Sequence, residues 1–373
     1  MKKNCLFIGV ATLALMASCS KESVVDSEIT KPSNAIGFSS YKTVSRGNPV
    51  DDNTEFMTEG NAFGAVAYEV GATSPYMGTP SEGIRIVAKT ATPSNIWDYS
   101  NPSDMAYWPA AASNFIAYYP YAHTAITNKA FTNGSLSFDY AVPATEAEQV
   151  DVMFATALDQ TKPAGSNMVK MPFKHALTQV HFKIATKTAR LKVDVAANGI
   201  TIYNIKSIGK FTIPTVNTDN GWTNITTPTN YVVTNDAVTG SFVGETTKTY
   251  TQVGSADKAL ILIPQTFTAW TPAADATAPA QGETGAYVKL SCKIYQMLAD
   301  GTTKQYLVGS ADTFADVYIP FSSQKDGTEV WNRSKKVTYN MLIGAGNTLL
   351  DPIMFETEVE AWVDADGGEI ENQ

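Results

Sequence analysis

Four segments of this 373-residue chain alternate apolar and polar residues with a period of two, and that repeat leaves little but β-structure open to them. They are "SLSFDYAVP" (Leu136, Phe138, Tyr140, Val142), "YVKLSCKI" (Val288, Leu290, Cys292, Ile294), "KVTYNMLI" (Val337, Tyr339, Met341, Ile343) and "MFETEVEAWV" (Phe355, Thr357, Val359, Ala361, Val363). Successive side chains of a strand point to opposite faces, so each segment is predicted to bury one face and wet the other. The connections are rich in Gly, Pro, Asn and Thr, and no long window carries a capped stripe of period 3.6, so helices should be few and short. Many short strands joined by turns predict an all-β fold of antiparallel sandwiches.

In "MPFKHALTQVHFKI" the apolar phase runs on odd positions (Met171, Phe173, Leu177) and then on even ones (Val180, Phe182, Ile184), which places a bulge or bend within residues 176–179. The polar run "ATKTARLKVDVAANG" precedes a fresh set of strand signals, "ITIYNIKSIGKFTI", and puts a domain boundary at about residue 188. "ALILIP", residues 259–264, reads as a central strand of the second domain, and "TPAADATAPAQGETG", residues 271–285, as an exposed loop.

At the other end of the chain, Lys2 and Lys3 precede an apolar stretch from Leu6 to Ala17, too short to span a bilayer as a helix. It ends in "LMASCSKE", where the small pair Ala17-Ser18 leads into Cys19 and then into polar chain. This pattern resembles the lipobox of bacterial lipoproteins. Residues 1–18 are therefore expected to be a lipoprotein signal peptide and Cys19 the acylated first residue of the mature chain, held at the outer membrane by lipid. Residues 20–34 lack an apolar period, carry Pro32 and read as a tether. Losing Lys2 and Lys3 takes the formal charge from −9 to −11, which argues against a nucleic-acid partner. Cys5 leaves with the signal and Cys19 carries lipid, so Cys292 has no partner for an intramolecular disulfide.

Catalytic chemistry finds few carriers. His175 and His181 are six residues apart across the predicted bend, about 20 Å if extended, and with His123 they read as polar contacts, not a metal site. "DADGGE", residues 364–369, lacks the span and closing Glu of a calcium loop. There is no GxSxG elbow, HExxH pair or GxxxxGK[ST] loop. We read the chain as no enzyme, with no catalytic residue, metal or cofactor. The aromatic clusters "IWDYS", "AYWP" and "FIAYYPYA", residues 96–122, could stack on sugars, but the alternation of Phe115, Ala117 and Tyr119 favours a core. Cys292 alternates with Leu290 and Ile294 and should be a shielded core thiol.

In "AIGFSSYKTVSRGN", residues 35–48, Ile36, Phe38 and Val44 share one parity in a strand that runs out to Arg46-Gly47, an accessible joint for a protease. A lipobox, a first strand of the form I-x-F and an Arg just before the globular body resemble the fimbrillin family of Bacteroidales, the type V pilins. "NAFGAVAYEV", "YWPAAASNFIAYYPYA", "DVMFATA", "ALILIPQTF" and "VWNRSKKVTYNMLIG" follow in the order in which that family presents its strands. The resemblance implies two transthyretin-like antiparallel β-sandwich domains, at residues 47–188 and 189–373, behind a lipid tether and removable first strand at 19–46. It also implies a fimbrial subunit at the cell surface, whose chain is cut between Arg46 and Gly47. The groove left by Ile36, Phe38 and Val44 would take a strand of another subunit by β-strand addition. The alternative is a permanently lipidated surface protein that binds glycans or acts as an adhesin.

Overall fold

The computed structural model describes residues 34–40, 53–91, 94–216, 219–242, 249–255, 259–274, 276–344 and 353–362. Along the chain, β1 (Gly37–Ser39) precedes a four-residue helix (Asn53–Phe56), β2 (Ala62–Glu69), β3 (Ile84–Ala91), β4 (Ser94–Tyr99) and β5 (Ser113–Tyr119). A hairpin of β6 (Ile126–Thr132) and β7 (Ser135–Ala141) follows, then β8 (Met153–Gln160), β9 (Met168–Lys170) and β10 (Lys174–His175). Next come β11 (Thr178–Thr186), the long β12 (Leu191–Thr212) and β13 (Trp222–Val233). The short β14 (Val238–Thr239), β15 (Ser241–Phe242), β16 (Thr251–Val253), β17 (Leu260–Leu262) and β18 (Thr266–Thr268) lead to β19 (Tyr287–Met297). The chain closes with β20 (Lys304–Val308), β21 (Ala315–Pro320), β22 (Thr328–Val330), β23 (Lys335–Ile343) and β24 (Met354–Ala361). This is the all-β sandwich architecture the alternation predicts.

The first sheet has eight strands in the order β10-β8-β5-β2-β3-β4-β1-β9. It curls around one apolar cluster, in which Phe63 lies 4.8 Å from Trp97 and 5.1 Å from Phe173, ring centre to ring centre. The opposite face, through Val66, Tyr68, Ile116, Tyr118 and Phe154, belongs to a second and larger cluster. That cluster fills the space between the sheet built on β12 and β19 and the sheet built on β11 and β23. Both faces of the first sheet are thus buried, which is why "NAFGAVAYEV" is apolar almost throughout where a half-exposed strand would alternate.

The phase slip before β11 has a topological cause. β10 pairs with β8 in the first sheet, whereas β11 runs parallel to β23 over nine residue pairs in another. The apolar residues change parity because the chain leaves one core and enters the next. Strands on both sides of residue 188 share sheets: β7 pairs with β12, and β11 with β23.

Two strand expectations are corrected. "ALILIP" is not a central strand: β17 is three residues long and flanks β11, which carries β23 on its other side. Its residues are apolar because they are buried, and the Ile261 N–H, left without a strand partner, donates to Gln149 Oε1 at 2.7 Å. In β24, Phe355 is buried but Val359 is 60% exposed. Among the described residues the strand pairs with β23 alone, and its far end runs beyond the core until Trp362 returns to it.

Candidate functional site

The residues expected to be exchanged are Ile36, Phe38 and Val44. The structure describes the first two; Val44, the predicted cleavage pair Arg46 and Gly47, and the predicted lipidation site Cys19 lie outside the described residues. Ile36 is wholly buried and Phe38 is 1% exposed. Phe38 sits on an internal strand, β1, and Ile36 immediately precedes it. β1 pairs antiparallel with β4, Phe38 opposite Trp97, and parallel with β9, Gly37 to Ser39 opposite Met168 to Lys170. Among the described residues β9 meets the sheet only through β1.

The Phe38 ring packs edge-on among Phe63, Tyr99 and Phe115 at 5.7, 6.0 and 6.4 Å. Aromatic pairs favour this edge-to-face geometry because a positive ring edge meets a negative ring face. Main-chain bonds hold the strand on both sides. Ile36 N donates to Ala106 O and Gly37 N to Asn167 O, both at 2.9 Å, and Ser39 O accepts from Met171 N at 3.0 Å. Between the two apolar anchors Gly37 lets the Met168 thioether pack closely, and a Cβ there would displace that side chain.

Several residues of this groove carry no signal of their own in the sequence. The Asn167 side chain donates to Ala35 O at 2.7 Å, and the Asn167 main-chain carbonyl also accepts from Trp108 Nε1 at 2.9 Å. Trp97 Nε1 donates to Ser40 Oγ at 2.8 Å. Trp97 and Trp108 were legible as core aromatics, but nothing local in the sequence marks them as walls around β1. Burial pushes the Tyr99 hydroxyl well above its ordinary value, so it stays protonated beneath Phe38 and accepts from Ala106 N.

The aromatic clusters are core, apart from Tyr107, which is 49% exposed, and Tyr121, which is half-buried against the larger cluster. The three histidines lie apart. His175 Nδ1 pairs with Asp151 at 2.9 Å, and its ring stacks on Trp362 at 3.8 Å; His181 Nε2 meets Gln179 Oε1; and His123 Nδ1 accepts from Ala125 N. Among the described residues no three acidic, His or Cys side chains gather as a metal would need.

A model of the family described as fimbrillin-like matches residues 48–362 of the chain. No curated protein sequence matches this chain. Among solved structures, a fimbrial protein from Bacteroides vulgatus is 18% identical, with 88% of this chain and 100% of that one covered and a TM-score of 0.56. A provisionally assigned cell adhesion protein from Bacteroides uniformis is 14% identical, covering 90% and 99%, with a TM-score of 0.44. The tip fimbrial protein Mfa3 from Porphyromonas gingivalis is 11% identical, covering 89% and 100%, with a TM-score of 0.38. Only the first is near enough to speak for the fold, and at that identity it speaks for nothing else.

Proposed function

Because the chain belongs to the fimbrillin-like family, we propose that it is a structural subunit of a cell-surface fimbria, supporting adhesion. In this reading it is exported as a lipoprotein on Cys19, loses its first strand by a cut after Arg46, and assembles when a strand of another subunit enters the vacated groove.

The observation that carries the reading is the internal position of β1 between β4 and β9, with Phe38 on it and Ile36 just before it both buried. Only a short segment is involved, so it can be withdrawn without unthreading the sheet. Withdrawal exposes about 1.5–3 kcal/mol of burial for each apolar side chain. Each unpaired main-chain group adds a cost of about 1–3 kcal/mol. An emptied groove of this kind favours any strand that offers apolar residues at alternate positions. If the incoming strand belongs to a second subunit whose own groove is also empty, the contact repeats head to tail and does not close, which grows a filament.

The test is cleavage at Arg46 of the full chain, with the released strand washed away in mild denaturant, followed by sedimentation across a concentration series. Stripped protein should form oligomers that grow with concentration, and an Arg46→Ala chain treated alike should stay monomeric. Stripped protein that remains monomeric at high concentration, alone and with other subunits from the same cell, would replace this reading with the permanently lipidated surface protein. Anchoring has its own measurement: Cys19→Ala should lose detergent-phase partitioning.

A further inference from the structure

The sheet built on β12 and β19 turns Val288, Leu290, Cys292 and Ile294 into the larger core, so Tyr287, Lys289, Ser291, Lys293 and Tyr295 leave β19 on its outer face. That face is aromatic. Tyr203 of β12 stacks on Tyr287 at 4.5 Å with the ring planes 8° apart, and Tyr318 of β21 stands 6.0 Å from Tyr287. Farther along the strand, Tyr306 of β20 lies 5.4 Å from Tyr295. Tyr203, Tyr287, Tyr306 and Tyr318 are half-buried and, among the described residues, enter none of the apolar clusters.

Lysines stand between the rings. Lys304 Nζ sits 4.3 Å from the Tyr295 ring centre, and Lys192 stands directly opposite Tyr295 across the β12–β19 pair. Residues directly opposite one another have Cβ atoms about 5 Å apart, so Lys192 and Lys304 flank the same ring. One step along, Lys293 Nζ lies 4.6 Å from the Phe314 ring centre. These cations are held without being neutralised. Lys293 Nζ donates to Ala311 O, a neutral carbonyl, at 2.6 Å, and an aromatic face leaves the Lys304 ammonium its charge. Lys289 meets Asp316 at 3.5 Å in a partly exposed pair, of the kind that holds weakly and exchanges readily. Together β12, β19, β20 and β21 carry six lysines, Lys192, Lys206, Lys210, Lys289, Lys293 and Lys304, and two acidic residues, Asp194 and Asp316. Their excess is positive in a chain whose formal charge is −9.

We propose that this face binds an acidic polysaccharide, a chain of sugar rings bearing carboxylates. A tyrosine ring offers an apolar surface on which the C–H face of a sugar stacks, and a hydroxyl at its rim for hydrogen bonds. The ammonium groups meet the carboxylates as point charges, and their summed field draws a polyanion to this face of an otherwise acidic molecule. From Tyr287 to Tyr295 the strip runs about 26 Å, at about 3.3 Å per residue, which suits an extended polymer and not a single sugar. Lys289 and Lys293 are about 13 Å apart on the same count, far sparser than the phosphates of a nucleic acid strand, spaced at about 3.4 Å. The face involves neither β1 nor the cleavage joint, and its success or failure leaves strand exchange untouched.

The experiment is titration of the full chain with hyaluronan, alginate and polygalacturonate, read by calorimetry or biolayer interferometry, with dextran, poly-L-glutamate and oligothymidylate as controls. At least one acidic polysaccharide should bind, with affinity falling as salt is raised. Each control should bind at least about tenfold less tightly than the best of the three. Lys293→Gln combined with Lys304→Gln should weaken binding at least about tenfold through loss of charge, and Tyr287→Ala by a similar factor through loss of stacking. Thermal melts show whether the variants fold. If Tyr287→Ala does not, the lysine variant and the ligand series decide. A control that binds within about tenfold of the best acidic polysaccharide, no binding of any of the three, or an unaltered affinity in a folded variant would each overturn the proposal. So would self-association that the lysine variant loses while no polysaccharide binds, which would give the face to a second copy of the chain.

Discussion

Phe38 and Cys292 show how one side chain reports on its surroundings. Phe38 contacts three aromatic rings and is 1% exposed, so Phe38→Ala should cost about 3–5 kcal/mol, the range for emptying an aromatic-sized site that cannot collapse. Chemical denaturation of the uncut chain measures the loss; a change below about 1 kcal/mol would show that Phe38 is not seated as described. Cys292 is wholly buried, with Val288, Leu290 and Ile294 beside it on the inward face of β19. Burial, with a smaller contribution from Asp316, pushes its thiol up to about 12. In the unfolded chain the thiol ionises near 8.5, so the unfolded state sheds this proton first. The contribution to stability is complete below about pH 8.5 and is lost as pH rises toward the folded value. Stability of the wild-type chain should therefore fall more steeply above about pH 9 than that of Cys292→Ala. Alkylation at pH 9 should be slow in native protein and fast once it is denatured. Matching slopes, or rapid native labelling, would contradict this burial.

Among the strands, the edges carry the information that alternation does not. β17 is buried although among the described residues β11 alone pairs with it, and the Gln149 side chain caps its outward N–H and also donates from Nε2 to Pro143 O. Gln149→Leu keeps the volume roughly constant but leaves the Ile261 N–H buried and unpaired. The expected loss is about 1–3 kcal/mol, read as a lower denaturation midpoint at unchanged slope. A neutral substitution would mean that water or another group satisfies that donor. β24 teaches the converse: its alternation suggests a strand with one face inside along its whole length, yet Val359 is out in solvent. A period of two marks a strand, but how far the neighbouring layer extends decides which of its apolar residues are covered.

For the whole molecule, the division at residue 188 is put to the test by a pair of fragments. A fragment starting at Leu191 lacks β11, which lies between β17 and β23 and supplies Val180, Phe182 and Ile184 to the larger core. It should show no cooperative melt. A fragment starting at Ala176 restores that strand and should recover β-type circular dichroism and a sharper transition. The reverse result would place the folding boundary at 188 after all. Neither fragment regains everything, since β7 pairs with the far end of β12, where Phe138 stacks on Phe211 at 5.1 Å.

The sequence by itself determined the strands and which face of most of them is apolar, because side-chain direction alternates residue by residue and needs no knowledge of neighbours. It also placed Ile36 and Phe38 together on a first strand, and the change of phase near residues 176–179 where the chain passes between layers. The tertiary structure alone decided what those strands pair with. β1 lies between β4 and β9, Asn167 binds its backbone from more than a hundred residues away, and Tyr203 stacks on Tyr287, because each contact joins segments with no local interaction in the chain. Local pattern fixes direction and polarity, whereas partners are chosen by long-range pairing and by which apolar surfaces are left to cover one another.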